Sequence, residues 1–197
     1  AIPALPGRDA FAGIQFHSAR WDHGADLAGK RIAVIGNAAS AVQFVPQVAP
    51  LAAQLTIFQR SANWLMPRKD CLYSPRLHRW MGRWPWLARL RHQFQWFFFG
   101  EMQLTPLMKQ VRVVQWLATI KSKMHLRRQV RDPALRAKLT PDYPIGAKRV
   151  LFNDDYYPAL SRPNVELVTD PIECIEPEGV RSRTGQLYPA DVIIYAT

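Results

Sequence analysis

The sequence predicts an α/β protein with a parallel sheet that an all-helical insertion interrupts. Short β-branched apolar runs occur in both halves of the chain, a glycine directly follows the first of them, and strand patterns vanish between residues 68 and 143. Of the 197 residues, 48% are hydrophobic and 21% charged, enough for a packed core and too apolar for disorder. No apolar run approaches the ~18–20 residues that cross a bilayer.

Composition divides the chain into four segments. Pro3, Pro6 and Gly7 break any helix in the first, which predicts an extended linker. The second alternates strand and helix, the third is helical, and strand patterns return in the fourth. The predicted segments are the linker at 1–24, the first half of an α/β domain at 25–67, the helical insertion at 68–143 and the second half of the domain at 144–197.

The second segment contains a strand–helix–strand unit. Residues 31–35 suit a strand that is buried on both faces, residues 40–53 suit a helix, and residues 54–59 suit a second strand. Pro46 and Pro50 predict that the helix is kinked or ends early, because proline cannot donate the backbone hydrogen bond that a helix interior requires.

The third and fourth segments differ in the period of their apolar residues. In the insertion, apolar residues recur at helical spacing among arginines and lysines, which predicts three or four helices interrupted around Pro85, Pro106 and Pro133. In the fourth segment a turn at 183–186 joins two of the predicted strands. These strands lie at 149–152, 165–168, 172–175, 179–181 and 191–195.

Positive charge is concentrated in the insertion. Residues 66–149 contain 18 lysines and arginines against 4 acidic residues, within a chain of net charge +11. Tryptophans, phenylalanines and arginines crowd residues 79–99, which we call the basic aromatic segment. We expect its aromatic rings to fill the insertion's core or to pack on another domain. Peripheral membrane contact is the second interpretation, and no motif supports nucleic-acid binding.

Cysteine usage favours a reducing, cytoplasmic setting. Cys71 and Cys174 make no disulfide framework and have no metal-ligand spacing, so we expect no metal site. The first residues lack the basic-then-apolar order of a secretory signal. The chain also lacks an initiating methionine, which favours a fragment of a longer protein.

A glycine-containing turn between the first strand and the first helix suggests a phosphate site. Residues 36–41 lie where a dinucleotide-binding G-x-G-x-x-G/A motif would lie, with Gly36 at the tight turn and Ala41 at the third small position. Ala38 replaces the second glycine, where backbone must approach the pyrophosphate closely. An ordinary strand–helix turn remains the alternative.

Basic residues after the second strand favour NADPH over NADH. An NADH site usually has Asp or Glu at the end of this strand for the ribose hydroxyls. Here Arg60 and Ser61 offer a guanidinium and a hydroxyl, which suit a 2′-phosphate. Lys148 and Arg149 begin a predicted strand, where alternation would direct them to opposite faces. The alternative for Arg60 is a solvated arginine in a turn. The alternative for Lys148 and Arg149 is an ordinary pair of surface residues.

Residues 11–22 resemble the fingerprint of one enzyme family. Phe11, Gly13, His17, Trp21 and Asp22 match every fixed position of F-x-G-x-x-x-H-x-x-x-W-(P/D), the fingerprint of type I Baeyer–Villiger monooxygenases. The order of the later segments also resembles this family. These segments are the glycine loop, the Gln-Arg-Ser strand end, the helical insertion, the Gly-Ala-Lys-Arg stretch, the Asp-Asp-Tyr-Tyr-Pro stretch and the closing Ala-Thr. The resemblance covers nearly the whole chain.

The resemblance implies a Rossmann-like NADPH-binding domain and a chemistry. In this family of flavoproteins NADPH reduces FAD, and the enzyme uses O2 to insert oxygen next to a ketone carbonyl, giving an ester or lactone. Arg60, Ser61 and Lys148 would hold the 2′-phosphate, and Arg149 would be the active-site arginine that stabilises developing negative charge. His17 would couple domain movement to catalysis, and a linker histidine that is hydrogen-bonded to the backbone is the alternative. The pyrophosphate would be lined by Asn37, Ala38, Ala39, Ser40, Ala41, Val42 and Gln43 after Gly36.

Two departures from the family pattern qualify the resemblance. Ala38 stands where a loop glycine is usual, which puts tight NADPH binding in question. No FAD-binding glycine loop precedes the fingerprint, so we expect a central fragment that lacks the flavin domain and is inactive alone. An N- or S-oxidising flavin monooxygenase is the nearest alternative. A non-catalytic basic module that binds nucleotides or membranes is the alternative from another class.

Overall fold

The computed structural model describes residues 2–68, 73–98, 105–109 and 111–197. Cys71 and Phe99, which the sequence analysis singled out, lie outside the described residues. The strands are β1 Ile14–His17, β2 Arg31–Ile35, β3 Gln54–Phe58, β4 Leu65–Met66, β5 Leu151–Phe152, β6 Val165–Val168, β7 Ile172–Glu176, β8 Gly179–Ser182, β9 Leu187–Pro189 and β10 Val192–Tyr195. The helices are α1 Ala39–Val48, α2 Pro75–Arg83, α3 Pro85–Gln95, α4 Thr105–Met108, α5 Arg112–Gln129, α6 Pro133–Lys138 and α7 Tyr156–Leu160.

A five-stranded parallel sheet organises the protein, which confirms the predicted mixed α/β class. Its strand order is β1-β10-β2-β3-β6, and every neighbouring pair is parallel. Both faces are covered, as the β-branched runs predict. Along β2, Ile32 and Val34 pack with α1, α5 and α7, whereas Ala33 and Ile35 pack with the antiparallel sheet β7-β8-β9.

The first strand of this sheet falls in the segment that was predicted to be a linker. β1 pairs in parallel with β10, with His17 opposite Tyr195 at the last register position. Apolar and polar residues alternate too irregularly here for β1 to be evident from sequence, and the strand forms because β10 offers it a paired edge. Residues 14–17 of the N-terminal segment are therefore part of the sheet.

Helix α1 ends at Val48, well before the predicted residue 53, as Pro50 suggests. Pro46 lies inside the helix and has no N–H for the Val42 carbonyl. The buried Asn153 side chain replaces that donor, since its Nδ2 lies 3.2 Å from the Val42 oxygen. A residue more than a hundred positions away thus satisfies the backbone group that proline leaves unpaired.

The described residues from α2 to α6 form helices joined by short connections, with no strand among them. It has five described helices, where three or four were predicted, and the predicted interruptions at Pro85 and Pro133 are the first residues of α3 and α6. α5 joins the body by packing near β4 in a cluster that contains Trp64 and Ile145. Neither α2 nor α3 has a buried residue, so the aromatic rings of these two helices do not fill a core of the insertion, and that half of the expectation is wrong. Packing of the rings on another domain stays a prediction.

The fourth segment contains the predicted strands, with one consequential difference. β5 begins at Leu151, so Lys148 and Arg149 precede it and are not in a strand. The argument that strand alternation directs them to opposite faces therefore does not apply. α7 and β9 were not predicted. No helix among the residues that the structure describes is long and apolar enough to cross a membrane.

Candidate functional site

The turn after β2 is built around Gly36. Its φ of 100° lies in the left-handed region that side-chain-bearing residues rarely adopt. A Cβ at this position would lie 2.6 Å from the backbone oxygen of Ala196, just after β10. The turn therefore requires glycine, because the ends of β2 and β10 approach each other too closely for any side chain.

The N-terminus of α1 follows this turn and is electrostatically suited to an anion. Ala38 at its N-cap provides no capping side chain, and its first turn contains no acidic residue. The N-terminal amides of a helix carry partial positive charge and are available to a ligand when no side chain caps them. Ser40 lies in this first turn, with its Oγ 3.0 Å from the Oγ of Ser18, directly after β1.

Within residues 37–43, the backbone and the side chains have different surroundings. Ala41 and Val42 are buried against the sheet, so their side chains cannot line a ligand site. The Asn37 side chain faces the turn after β3, and the Ala38 N–H donates to Ala196. Ala38 has a φ of −62°, so its methyl group causes no backbone strain. Ala39 and Gln43 are exposed and Ser40 is half-buried.

The turn after β3 brings two distant stretches of chain together. Lys148 Nζ donates to Ser61 Oγ at 3.2 Å across 87 positions in sequence. Asn37 Nδ2 donates to the Ser61 backbone oxygen at 2.9 Å, which links this turn to the glycine loop. Arg60 is exposed and makes no hydrogen bond or ion pair with the described residues. We call Arg60, Ser61 and Lys148 the basic cradle.

The residue directly after β3 is a glutamine and not the carboxylate that binds ribose hydroxyls in an NADH site. Gln59 is buried and directs its side chain inward, accepting from Asn37 and donating to the backbone oxygen of Lys138. It therefore braces the loop from behind and leaves its outer side to Arg60 and Ser61. No acidic side chain from the described residues bonds to the basic cradle, so its positive charge is not neutralised within it.

Arg149 is the second cation of its pair, and its surroundings differ from those of Lys148. Lys148 is held by Ser61 and lies over the ring of Tyr143, with Nζ 4.3 Å from the ring centroid. Arg149 is exposed and bonds to no described residue. The two side chains thus have separate environments, although not for the strand-alternation reason that the sequence predicted.

The fingerprint segment packs on the sheet beside the α1 turn. Phe11 is buried, and a Cβ on Gly13 would lie 2.3 Å from the Asp191 oxygen. The ring of Trp21 packs edge-on against the rings of Phe16 and of Phe44 in α1, with 5.2 Å between the ring centroids in each pair. Each of these residue types therefore has a packing reason.

Two further fingerprint residues lie at bends in the chain. The Nδ1 atom of His17 accepts from the Ala19 N–H, while its buried Nε2 has no partner among the described residues. Asp22 accepts from the Gly24 N–H at 2.9 Å. His17 is the last residue of β1, and Ser18, which contacts α1, follows it directly.

Two contacting residues were not identified from sequence. Tyr143 supports the basic cradle, and Ser18 contacts the first turn of α1. Neither belongs to a motif that predicts this role, because both contacts depend on tertiary packing. Burial raises the pKa of the Tyr143 hydroxyl, which stays a neutral donor at physiological pH.

Comparisons with known proteins agree with the resemblance that the fingerprint carries. A Baeyer–Villiger monooxygenase of Streptomyces coelicolor is 42% identical and matches all of this chain over 37% of its own length. A Baeyer–Villiger monooxygenase of Pseudomonas aeruginosa is 40% identical with the same coverage. The predicted resemblance to this group is confirmed.

Solved structures give the same result for the fold. The OTEMO complex with FAD and NADP matches all of this chain and 44% of its own, with a TM-score of 0.81 and 29% identity. Oxidised steroid monooxygenase bound to NADP matches with a TM-score of 0.82, 28% identity and the same coverage. The chain spans less than half the length of these relatives. A family model described as flavin-binding monooxygenase-like matches residues 1–197, and the chain belongs to that family.

Proposed function

We propose that this chain binds NADPH for a flavin monooxygenase that inserts oxygen next to a ketone carbonyl. The observation that carries the proposal is the contact between Lys148 Nζ and Ser61 Oγ, which assembles a basic cradle beside the Gly36 turn. Relatives named Baeyer–Villiger monooxygenase and solved structures that contain FAD and NADP support the assignment. The activity of the whole protein would also require O2 and a small ketone substrate.

The described residues fit NADPH at two points. The uncapped N-terminus of α1 offers backbone amides to the pyrophosphate, and Gly36 permits the close approach of the chain there. Arg60, Ser61 and Lys148 offer two cations and a hydroxyl to the 2′-phosphate, and no carboxylate of the described residues bonds to them. The missing carboxylate after β3 also explains why NADH would bind less tightly.

We further propose that the parallel sheet is a Rossmann-like domain split by the helical segment at 68–143. The domain would comprise 25–67 and 144–197, with residues 1–24 contributing the fingerprint strand at its edge. Support comes from the strand order, in which β3 and β6 are neighbours although α2 to α6 separate them in sequence.

Arg149 and His17 would serve the oxygen-insertion step from different positions. FAD, bound mainly outside this chain, supplies the redox chemistry and the activation of O2. Arg149 carries a pH-independent charge, has no bond to a described residue and can turn to developing negative charge on the substrate. His17 would act by linking β1 to the α1 turn, through its neighbour Ser18.

Coenzyme titration tests the proposed binding site. NADPH should bind saturably and more tightly than NADH, and Arg60→Ala should weaken NADPH binding about tenfold or more, because charge-assisted hydrogen bonds contribute ~1.5–3 kcal/mol. Arg183→Ala is the matched control, since it removes an exposed arginine at the end of β8, outside the parallel sheet. Equal affinity for both coenzymes in the unaltered chain would overturn the site.

The role of Arg149 is tested in the complete enzyme. Arg149→Ala should leave NADPH oxidation largely intact and abolish ester formation, because the arginine is needed after the coenzyme has reacted. The measurement compares NADPH consumption with the ester or lactone yield. A normal product yield would remove Arg149 from its assigned role.

We propose a second activity for the described part of the basic aromatic segment, namely peripheral contact with an anionic membrane. Residues 79–98 carry no acidic residue, and both helices expose tryptophans, with Trp80 at 62%. Exposed tryptophans suit the bilayer interface, and arginines attract anionic headgroups at ~1 kcal/mol each. Charge complementarity therefore favours a membrane over an uncharged protein surface.

Vesicle flotation tests this contact. The chain should float with vesicles of phosphatidylcholine and phosphatidylserine, release at high salt, and stay unbound with phosphatidylcholine alone. The Arg79→Gln, Arg83→Gln double variant should lose flotation, whereas the matched pair Arg127→Gln, Arg128→Gln on α5 should keep it. Absence of flotation in the unaltered chain would overturn the proposal and leave this face to a protein partner.

A further inference from the structure

Tyr143, in the loop between α6 and β5, contacts Lys148 of the basic cradle and the residue that follows Ser61. Its ring lies under Lys148, with the ammonium nitrogen 4.3 Å from the ring centroid. Its hydroxyl donates to the backbone oxygen of Ala62 at 2.9 Å, one residue after Ser61. Its own backbone oxygen accepts from the indole N–H of Trp64 at 2.9 Å, which fixes the loop to the core.

This arrangement limits the freedom of the lysine. Lys148 is exposed and has a flexible four-carbon stem, so its ammonium would otherwise sample many positions. The Tyr143 ring attracts the ammonium by a cation–π interaction, and the hydroxyl holds the turn that carries Ser61. One side chain thereby contacts both the lysine and the turn that carries the serine, which lie 87 positions apart in sequence.

We propose that Tyr143 is a specificity-determining positioning residue, which holds Lys148 and Ser61 at the spacing that receives the 2′-phosphate and so separates NADPH from NADH. The inference rests on the proposed coenzyme site. It assigns to Tyr143 no contact with the coenzyme. Because Tyr143 already orders the Lys148 side chain in the free protein, less conformational entropy is lost when the phosphate binds.

A purely structural role for Tyr143 would have a different consequence. Its half-buried ring also packs against the cluster around Trp64 and Ile145. If packing were its only role, removal of the ring would weaken both coenzymes alike or lower stability alone. A positioning role affects the 2′-phosphate, which only NADPH carries, and therefore changes the ratio of the two affinities.

The test measures the dissociation constants of NADPH and NADH by tryptophan fluorescence in the full 197-residue chain. Tyr143→Met removes the ring while keeping an apolar side chain of adaptable shape. We expect it to weaken NADPH binding about fivefold and to leave NADH binding unchanged, in keeping with the strength of a cation–π contact. Tyr143→Phe keeps the ring, loses the Ala62 bond, and should weaken NADPH binding by a smaller factor.

A double-mutant cycle separates positioning from packing. In a Lys148→Met background the Tyr143→Met change should weaken NADPH binding no more than Tyr143→Phe does, because no ammonium remains to be positioned and only the Ala62 bond is lost. Tyr143→Leu repeats the ring removal with another shape, and far-UV circular dichroism checks that each variant is folded. Equal weakening of both coenzymes, or an unchanged affinity ratio, would overturn the role of Tyr143. Failure of the proposed site itself would appear separately, as equal NADPH and NADH affinity before any substitution.

Discussion

The basic cradle and the basic aromatic segment are both rich in positive charge, but they differ in what surrounds it. Around the cradle, the loop after β2, the turn after β3 and the residues before β5 converge by hydrogen bonds. α2 and α3 have no buried residue. Positive charge alone therefore does not identify a binding site. The convergence of distant parts of the chain on the basic cradle is what supports the proposed coenzyme site, because ordering those parts costs conformational entropy.

Two tryptophans give the sharpest form of this comparison. Trp64 is 6% exposed and bonds to Tyr143, whereas Trp80 on α2 is 62% exposed. The same residue type thus contributes core packing in one region and open apolar surface in the other.

Trp64→Ala should have the largest effect on stability. It leaves a cavity and an unpaired Tyr143 carbonyl, and we expect a loss of about 3–5 kcal/mol in the free energy of unfolding. Trp80→Ala should change that free energy by less than about 0.5 kcal/mol. Urea unfolding followed by circular dichroism measures both, and similar losses would mean that the two regions are equally packed.

A pair of glycines provides the next comparison. Gly36→Ala places a methyl group 2.6 Å from the Ala196 oxygen at a φ of 100°, so we expect a loss of about 2–4 kcal/mol. Gly82 lies in α2, and a Cβ there meets no atom within 4 Å. Gly82→Ala should raise helix content slightly and leave the main urea midpoint unchanged. A stable Gly36→Ala chain would indicate that the β2 turn can relax.

Sequence patterns predicted the parts of the molecule that local physical chemistry determines. The β-branched run at 31–35 predicted β2, which spans those residues. Pro50 predicted the early end of α1. Gly36 was recognised because a tight turn after a strand needs glycine. The expectation that the aromatic rings fill the core of the insertion was wrong because helical spacing predicts which residues share a helix face. It does not show what packs against that face.

The contacts that complete the candidate site are non-local. β1 depends on the edge of β10, and Tyr143 depends on the packing of Trp64 against its loop. Asn153 pairs with Val42 only because Pro46 leaves a carbonyl open on α1. Such pairs have no sequence spacing from which they could be inferred, and only the folded chain brings them together.

The smallest expected effect concerns an ion pair in the parallel sheet, between the first residue of β2 and the residue before β10. Arg31 bonds to Asp191 and lowers the pKa of that carboxyl from 3.8 to about 2, chiefly through the side-chain hydrogen bond. A lowered pKa in the folded state stabilises the fold above pH ~4 and loses this contribution as pH falls towards 2. Both side chains are more than a third exposed, so the contribution stays below about 1 kcal/mol.

Asp191→Asn should therefore remove a small stability difference that is present at pH 7 and absent near pH 2. Unfolding in urea at both values measures it, with Glu178→Gln as a control because that exposed carboxylate has no bonded partner in the described residues. An equal deficit at both pH values would assign the effect of Asp191 to packing at the start of β10. The described residues of α2 and α3 carry no carboxylate, so this acid-sensitive pairing has no counterpart there and the charge of their arginines does not depend on pH in this range.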